Sequence, residues 1–182
     1  MPDDHLDRIR HQWYRERPDL DTQAMGILGR IYRLAAAAGS AMGQTFAAHG
    51  LKGYEFDVLA TLRRNGEPFR MSPGALAADL LITSGGMTAR LDGLEQCGLI
   101  ERAINPTDHR ARLVSLTEHG LTVVDAAVDA AVDAQQRLVN GMAEDRRQLV
   151  DDLLRELLAL VTHEATLPPL HMAAPGRLDA RG

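Results

Sequence analysis

Residues 99–120, LIERAINPTDHRARLVSLTEHG, decide how this chain is to be read. Leu99, Ile100, Ala103 and Ile104 form one short alternating segment, and Leu113, Val114 and Leu116 form a second. Asn105-Pro106 and Thr107-Asp108 between them supply turn chemistry, so the stretch predicts a hairpin. Arg110 and Arg112 stand at the start of the return strand, and Thr117 caps a helix that follows at once. A hairpin this small has no core of its own, and arginine near its tip asks for an anionic partner. Nucleic-acid phosphate or a minor groove meets that requirement.

The surrounding chain of 182 residues suits one domain with extensions, and 45% hydrophobic content is ample for a core. Only 4% of residues are aromatic while alanine and leucine abound, which favours helix over sheet. No apolar run approaches the roughly 20 residues of a membrane span. The opening MPDDHLDRIRHQW has no apolar signal stretch. A single cysteine, Cys97, excludes an internal disulfide framework. These features lead to the expectation of a soluble, cytoplasmic protein.

Net charge is −5, which at first disfavours a nucleic-acid partner. Split by region, Arg63 to Arg112 holds seven arginines against six acids, and the acidic excess lies elsewhere. Screening confines each charge to about 8–10 Å, so the middle of the chain is compatible with a polyanion.

Working outward, His5 to Glu16 reads as an amphipathic helix with Leu6, Ile9, Trp13 and Tyr14 at helical spacing. Asp21 or Thr22 caps a second helix that runs to His49 and stops at Gly50. Tyr54 to Arg64 is a third, ended by Asn65-Gly66, and Phe69-Arg70-Met71 suits a short edge strand. Ser72-Pro73 opens a helix to Leu80, in the preferred order of cap and N1 proline. After the turn at Leu81-Ile82, Thr83 or Ser84 caps a helix to Gln96 that Gly98 closes. Two helices joined by so short a turn make a helix-turn-helix pattern. Beyond the hairpin, Glu118 to Asn140 carries Leu121, Val124, Val128, Val132 and Leu138 on one side, with Asp125, Asp129 and Asp133 as a solvated row. A leucine-rich helix spans Glu144 to Glu164, and Pro168, Pro169 and Pro175 mark a loose tail. The terminal helices hold more apolar surface than a core centred on residues 54–116 can cover, which predicts a homodimer.

The run from Asn105 to Gly120 closely resembles the wing signature of MarR-type winged-helix regulators, with similarity over about residues 20–163. Trp13, the segment Glu16-Arg17-Pro18-Asp19-Leu20-Asp21, the helix from Glu55 to Arg64 and the helix from Thr88 to Gln96 are similar to the PecS and urate-responsive branch. The fold class expected is mainly α with a small β-wing. Residues 1–19 form an extra N-terminal helix, 20–50 and 117–164 the dimerisation helices, 51–116 a winged helix-turn-helix domain, and 165–182 a flexible tail. The resemblance implies a homodimeric repressor on a palindromic double-stranded operator, released by urate or a related purine anion. It carries the ligand role to Trp13, Asp57, Arg90 and Arg102. Arginine can meet the charge of flat, monoanionic urate, and tryptophan can stack on its ring. The candidate DNA-facing set is Ser72, Thr83, Ser84, Gly85, Gly86, Thr88 and Arg90 with Asp108, Arg110 and Arg112. Arg110 is the groove contact that Asp108 orients, and Arg112 meets phosphate.

Each of these residues also has a plainer reading. Trp13 suits a core or interface, Asp57 an internal ion pair, Arg90 a phosphate contact and Arg102 a strand-surface salt bridge. Cys97 raises thiol-based redox sensing as an alternative, as does a regulator of a different aromatic ligand; no resolving cysteine exists in the chain. A winged helix that binds protein rather than DNA is a further class. No nucleophile–base pairing, phosphate-cradling loop or metal-ligand spacing is present in the sequence, so no enzyme, cofactor or metal is expected.

Overall fold

Capping chemistry sets most of the element boundaries. In the computed structural model, which describes residues 2–105 and 108–164, the order is α1 (His5–Glu16), α2 (Gln23–Ala48), α3 (Gly53–Arg64), β1 (Arg70–Met71), α4 (Pro73–Asp79), α5 (Ser84–Gln96), β2 (Ile100–Asn105), β3 (Asp108–Leu116), α6 (Glu118–Val139) and α7 (Glu144–Glu164). Asp4 accepts from the amides of Leu6 and Asp7 at the start of α1, and Asp7 returns the bond to the Asp4 amide. At α2 the cap comes from Asp21, whose carboxylate accepts from the Gln23 amide at 2.8 Å; Thr22 makes no side-chain cap. Ser72, Thr83 and Thr117 cap α4, α5 and α6 through their hydroxyls.

Helices α2, α4 and α5 close in the same way, with one residue in the left-handed region and paired 6→1 and 5→2 amide bonds. Gly50 and Gly98 serve at α2 and α5, but the helix-turn-helix turn uses Leu81, at φ +52. There the amides of Ile82 and Leu81 donate to the carbonyls of Ala77 and Ala78. A non-glycine residue in this conformation costs about 1–2 kcal/mol, so the turn is held by the helices packed on each side of it.

The three strands lie in the order β1-β3-β2, all antiparallel. Arg70 faces Ser115 across β1 and β3, and Ile100 faces Leu116 across β2 and β3. A register shift at Ile104/Asn105 bends the hairpin near its tip. The core sits at the hairpin's base, where Leu59 and Leu62 of α3, Leu76 of α4, Met87, Leu91 and Leu94 of α5, and Val114 of β3 are buried together. Phe46 of α2 stacks on Phe56 at 4.0 Å between centroids, continuing this core toward the long helices.

Helix α6 meets that core through small residues. Its buried side is Gly120, Val124, Ala127, Ala131 and Ala134, whereas Val132 and Leu138 of the expected apolar row are exposed. Alanines let α2 approach closely, and the larger side chains are left outside. The aspartate row is also not uniform: Asp125 accepts from Arg63 of α3 at 2.6 Å, while Asp129 and Asp133 are exposed. Helix α7 keeps Leu149, Leu153, Leu154, Leu158 and Leu160 exposed, and α2 does the same with Ile27, Leu28, Tyr32 and Leu34. No helix of the described residues is long and apolar enough to cross a membrane. The tail expected over 165–182 lies outside the described residues.

Candidate functional site

The first turn of α5 is a capped, open surface. Thr83 Oγ1 accepts from the Gly86 amide at 3.2 Å, and Thr88 Oγ1 donates to the Ser84 carbonyl at 3.1 Å. Both hydroxyls keep acceptor capacity. Thr83, Ser84, Gly85, Gly86 and Thr88 are all exposed, while Met87 between them is buried and fixes which side faces inward. A Cβ on Gly85 would meet nothing within 4 Å, so that position offers bare backbone to an approaching ligand. Helical glycine costs about 1 kcal/mol relative to alanine, and the return is close approach. Ser72 accepts from the Ala75 amide at 3.1 Å, so its hydroxyl serves the start of α4.

On the hairpin, Arg112 is exposed on β3, paired in register with Ile104. Asp108 and Arg110 belong to the same strand, but their side chains lie outside the described residues. The first turn of α5 and the β2–β3 hairpin are thus two exposed, polar elements that follow the Leu81 turn in the chain.

The four residues expected at an effector site divide into three places. Arg90 turns away from the open end of α5 and sets its guanidinium over the Tyr54 ring of α3, 5.3 Å from the centroid. Its Nη1 is buried with no hydrogen-bond partner among the described residues. Asp57 lies one helical turn along α3 from Tyr54 and is only 5% exposed. Lys52 approaches the same ring at 5.5 Å, and its ammonium is held above the usual lysine range first by Tyr54 and then by Glu55. Arg102 of β2 is engaged elsewhere, by Asp92 at 2.6 Å and Glu95 at 3.5 Å on α5. Trp13 is 42% exposed on α1, beside Gln12 and Glu16.

Helix α1 is fastened to α2 by its N-terminal half. Leu6 is buried against Gly29, and Arg30 of α2 donates to Asp4 at 2.8 Å and to Asp7 at 2.7 Å. The Asp4 carboxyl is lowered to about 2, first by the Asp7 amide and then by Arg30. Trp13 and Tyr14, farther along α1, stay open to solvent. Cys97 is exposed at the C-terminal cap of α5.

A family model described as the MarR family matches residues 49–111. The transcriptional regulator PecS of Dickeya dadantii strain 3937 is 34% identical over 146 residues, spanning 80% of this chain and 88% of that protein. The chain belongs to the MarR family. Apo MarR from E. coli superposes with a TM-score of 0.61 at 26% identity, over 72% of this chain and 96% of that one. A mutant of E. coli MarR complexed with operator DNA shares the fold, with a TM-score of 0.62 at 24% identity over 75% and 97% of the two chains. The three-stranded sheet at the end of the helix-turn-helix is the wing of this MarR-family transcriptional regulator.

Four participants had no signal in the sequence. Tyr54 and Lys52 gather around Arg90 through packing of α3 on α5, and Asp92 with Glu95 meets Arg102 across the Gly98 turn. The i,i+3 spacing of Asp92 and Glu95 shows a shared helix face, but it does not reveal which cation occupies that face.

Proposed function

We propose that this MarR-family protein is a homodimeric repressor that binds a palindromic operator in double-stranded DNA and is released by urate or a related purine anion. The observation that carries the DNA reading is the open first turn of α5, with Ser84, Gly85, Gly86 and Thr88 exposed directly above the buried Met87. A recognition helix enters the major groove by its N-terminal residues, where amides and hydroxyls meet bases and phosphates. Ser72 and Thr83 support that approach through the caps, Arg112 meets phosphate, and Asp108 orients Arg110 into the minor groove. Exposed leucines on α7 and apolar residues on α2 support a twofold partner, which would set two half-sites about 34–36 Å apart.

The effector reading rests on Arg90, Tyr54 and Asp57. An arginine with a buried, unpartnered nitrogen, lying over an aromatic ring one turn from a buried carboxylate, is a group that a planar anion can engage. Of the two roles expected for Arg90, this geometry favours the effector. Trp13 and Arg102, expected to supply a stacking surface and a second positive charge, lie apart from this group, so the effector reading rests on Arg90, Tyr54 and Asp57 alone. Because Arg90 sits on the recognition helix, drawing it toward an anion re-aims that helix, which is how effector binding lowers DNA affinity.

Titration of Trp13 fluorescence with urate, alongside release of a labelled duplex selected from a random pool, tests the reading. Quenching and release in parallel are expected. Neither occurring at millimolar urate removes the effector assignment and leaves DNA binding intact. Failure of the pool to enrich any sequence removes DNA recognition itself.

A further inference from the structure

We infer that Arg102 is a positioning residue that locks the wing to the recognition helix and so fixes the angle between the two DNA-facing elements. The inference rests on the DNA-binding reading above. Arg102 stands on β2, opposite Val114 of β3, with only 21% of its side chain exposed. Its Nη2 donates to Asp92 Oδ1 at 2.6 Å, and its Nε lies 3.5 Å from Glu95 Oε2. One planar guanidinium therefore spans two carboxylates on adjacent positions of a single α5 face.

Besides the apolar packing of Leu91 and Leu94 against the sheet, the backbone hydrogen bonds that join α5 to the start of β2 lie at the turn itself. The Leu99 amide donates to the Leu94 carbonyl and that of Gly98 to the Glu95 carbonyl. Those bonds hold the corner but lie close to its pivot. Arg102 acts farther out, at the level of Asp92, where a given change of angle stretches the tie most. Isolated exposed ion pairs contribute little to stability, but a cation fixed in two directions constrains orientation. An effector anion that engages Arg102 must take it from both carboxylates, which would free the wing.

Simple electrostatics makes the opposite prediction, and this makes the inference testable. Asp92 and Glu95 are negative charges on a helix that approaches a polyanion, so neutralising them should strengthen DNA binding if they only repel. The lock requires that neutralising them weaken selective binding. The full-length protein and its Arg102→Gln, Arg102→Lys and Asp92→Asn/Glu95→Gln variants would be compared on the selected duplex and on a scrambled duplex across a salt series, with thermal unfolding as the check on folding.

Arg102→Gln and the double carboxamide variant should each lose about tenfold on the selected duplex, with little change on the scrambled one. Their salt slopes should match the wild type, and Arg102→Lys should recover part of the loss. A stronger double variant would show that the carboxylates merely repel DNA and would overturn the lock. A slope reduced by about one in Arg102→Gln, with equal loss on both duplexes, would make Arg102 a phosphate contact and overturn it also. If the wild type prefers no duplex, the DNA-binding reading fails first and takes the lock with it.

Discussion

The core around the winged unit is closed within the chain, with Phe46 of α2 and Val124 of α6 buried in it, whereas α7 and the outer face of α2 leave their apolar side chains open. Leu59, Leu62, Leu76, Met87, Leu91 and Leu94 are buried within residues 59–94, although the sheet beside them is small. On α7, by contrast, leucine after leucine remains exposed, at 50% for Leu149 and 65% for Leu160. The sequence invests similar hydrophobicity in both regions and satisfies only one within the chain. The core therefore closes intramolecularly, while burial of the α7 leucines falls to the proposed partner copy, so the two regions should respond differently to protein concentration.

The largest expected effect falls on the open region. Leu153→Asp with Leu154→Asp should turn the proposed dimer into a monomer in sedimentation experiments. Two leucine contacts of about 2 kcal/mol each correspond to a loss near a thousandfold in association. A variant that remains dimeric would remove α7 from the interface. Leu62→Ala probes the closed region: its side chain is fully buried, and a cavity there costs about 2–5 kcal/mol. The drop in Tm should be the same at every protein concentration, and a concentration-dependent drop would dissolve the contrast between the regions.

Gly120 lies where the two regions join, and its replacement should have an intermediate effect. A Cβ there would stand 1.9 Å from the Leu99 carbonyl oxygen, so Gly120→Ala must push α6 off the base of β2. A loss of about 1–3 kcal/mol is expected, read as a fall in Tm of roughly 2–12 °C for a domain of this size. An unchanged Tm would mean that α6 and the wing base can slide past one another.

The smallest effect concerns α1. The Asp4 carboxyl titrates near 2 in the folded chain against its ordinary 3.8. A lowered value gives a contribution that is complete above about 4 and fades as pH falls toward 2. Asp7 is lowered too, first by Arg30, and shares the same direction. Trp13 emission should therefore hold steady from neutral pH to about 4 and shift below it, with Arg30→Ala weakening the transition while the Asp7 amide still holds Asp4. A transition unchanged in Arg30→Ala would place the fastening elsewhere.

Much of this fold was legible because it is written locally. Ser72-Pro73, Thr83 and Thr117 announce helix starts through hydroxyls that reach amides only a few residues away, and these caps are present. The hairpin was legible for the same reason, as alternation with turn residues between. Periodicity was less informative on α6, since it marks valines and leucines, while the neighbouring α2 selected the alanine side. Pairing across distance left no trace at all. Arg63 and Asp125 are 62 positions apart, and no spacing rule connects them. The candidate effector residues followed from resemblance, while their surroundings, Tyr54 under Arg90 and the two carboxylates on Arg102, came only from the packed chain.

The base of the hairpin is closed by two hydrogen bonds from one residue. The Thr117 hydroxyl donates to the Gly98 carbonyl at 2.7 Å, and the Thr117 amide to the Leu99 carbonyl at 3.2 Å. The chain thus leaves the hairpin at the point where it entered. Residues added or removed in pairs at the hairpin's far end alter its reach, but they leave the entry and exit points, and everything beyond them, in register. Wing length becomes a free parameter: a descendant's hairpin could lengthen or shorten without moving the elements on either side of it.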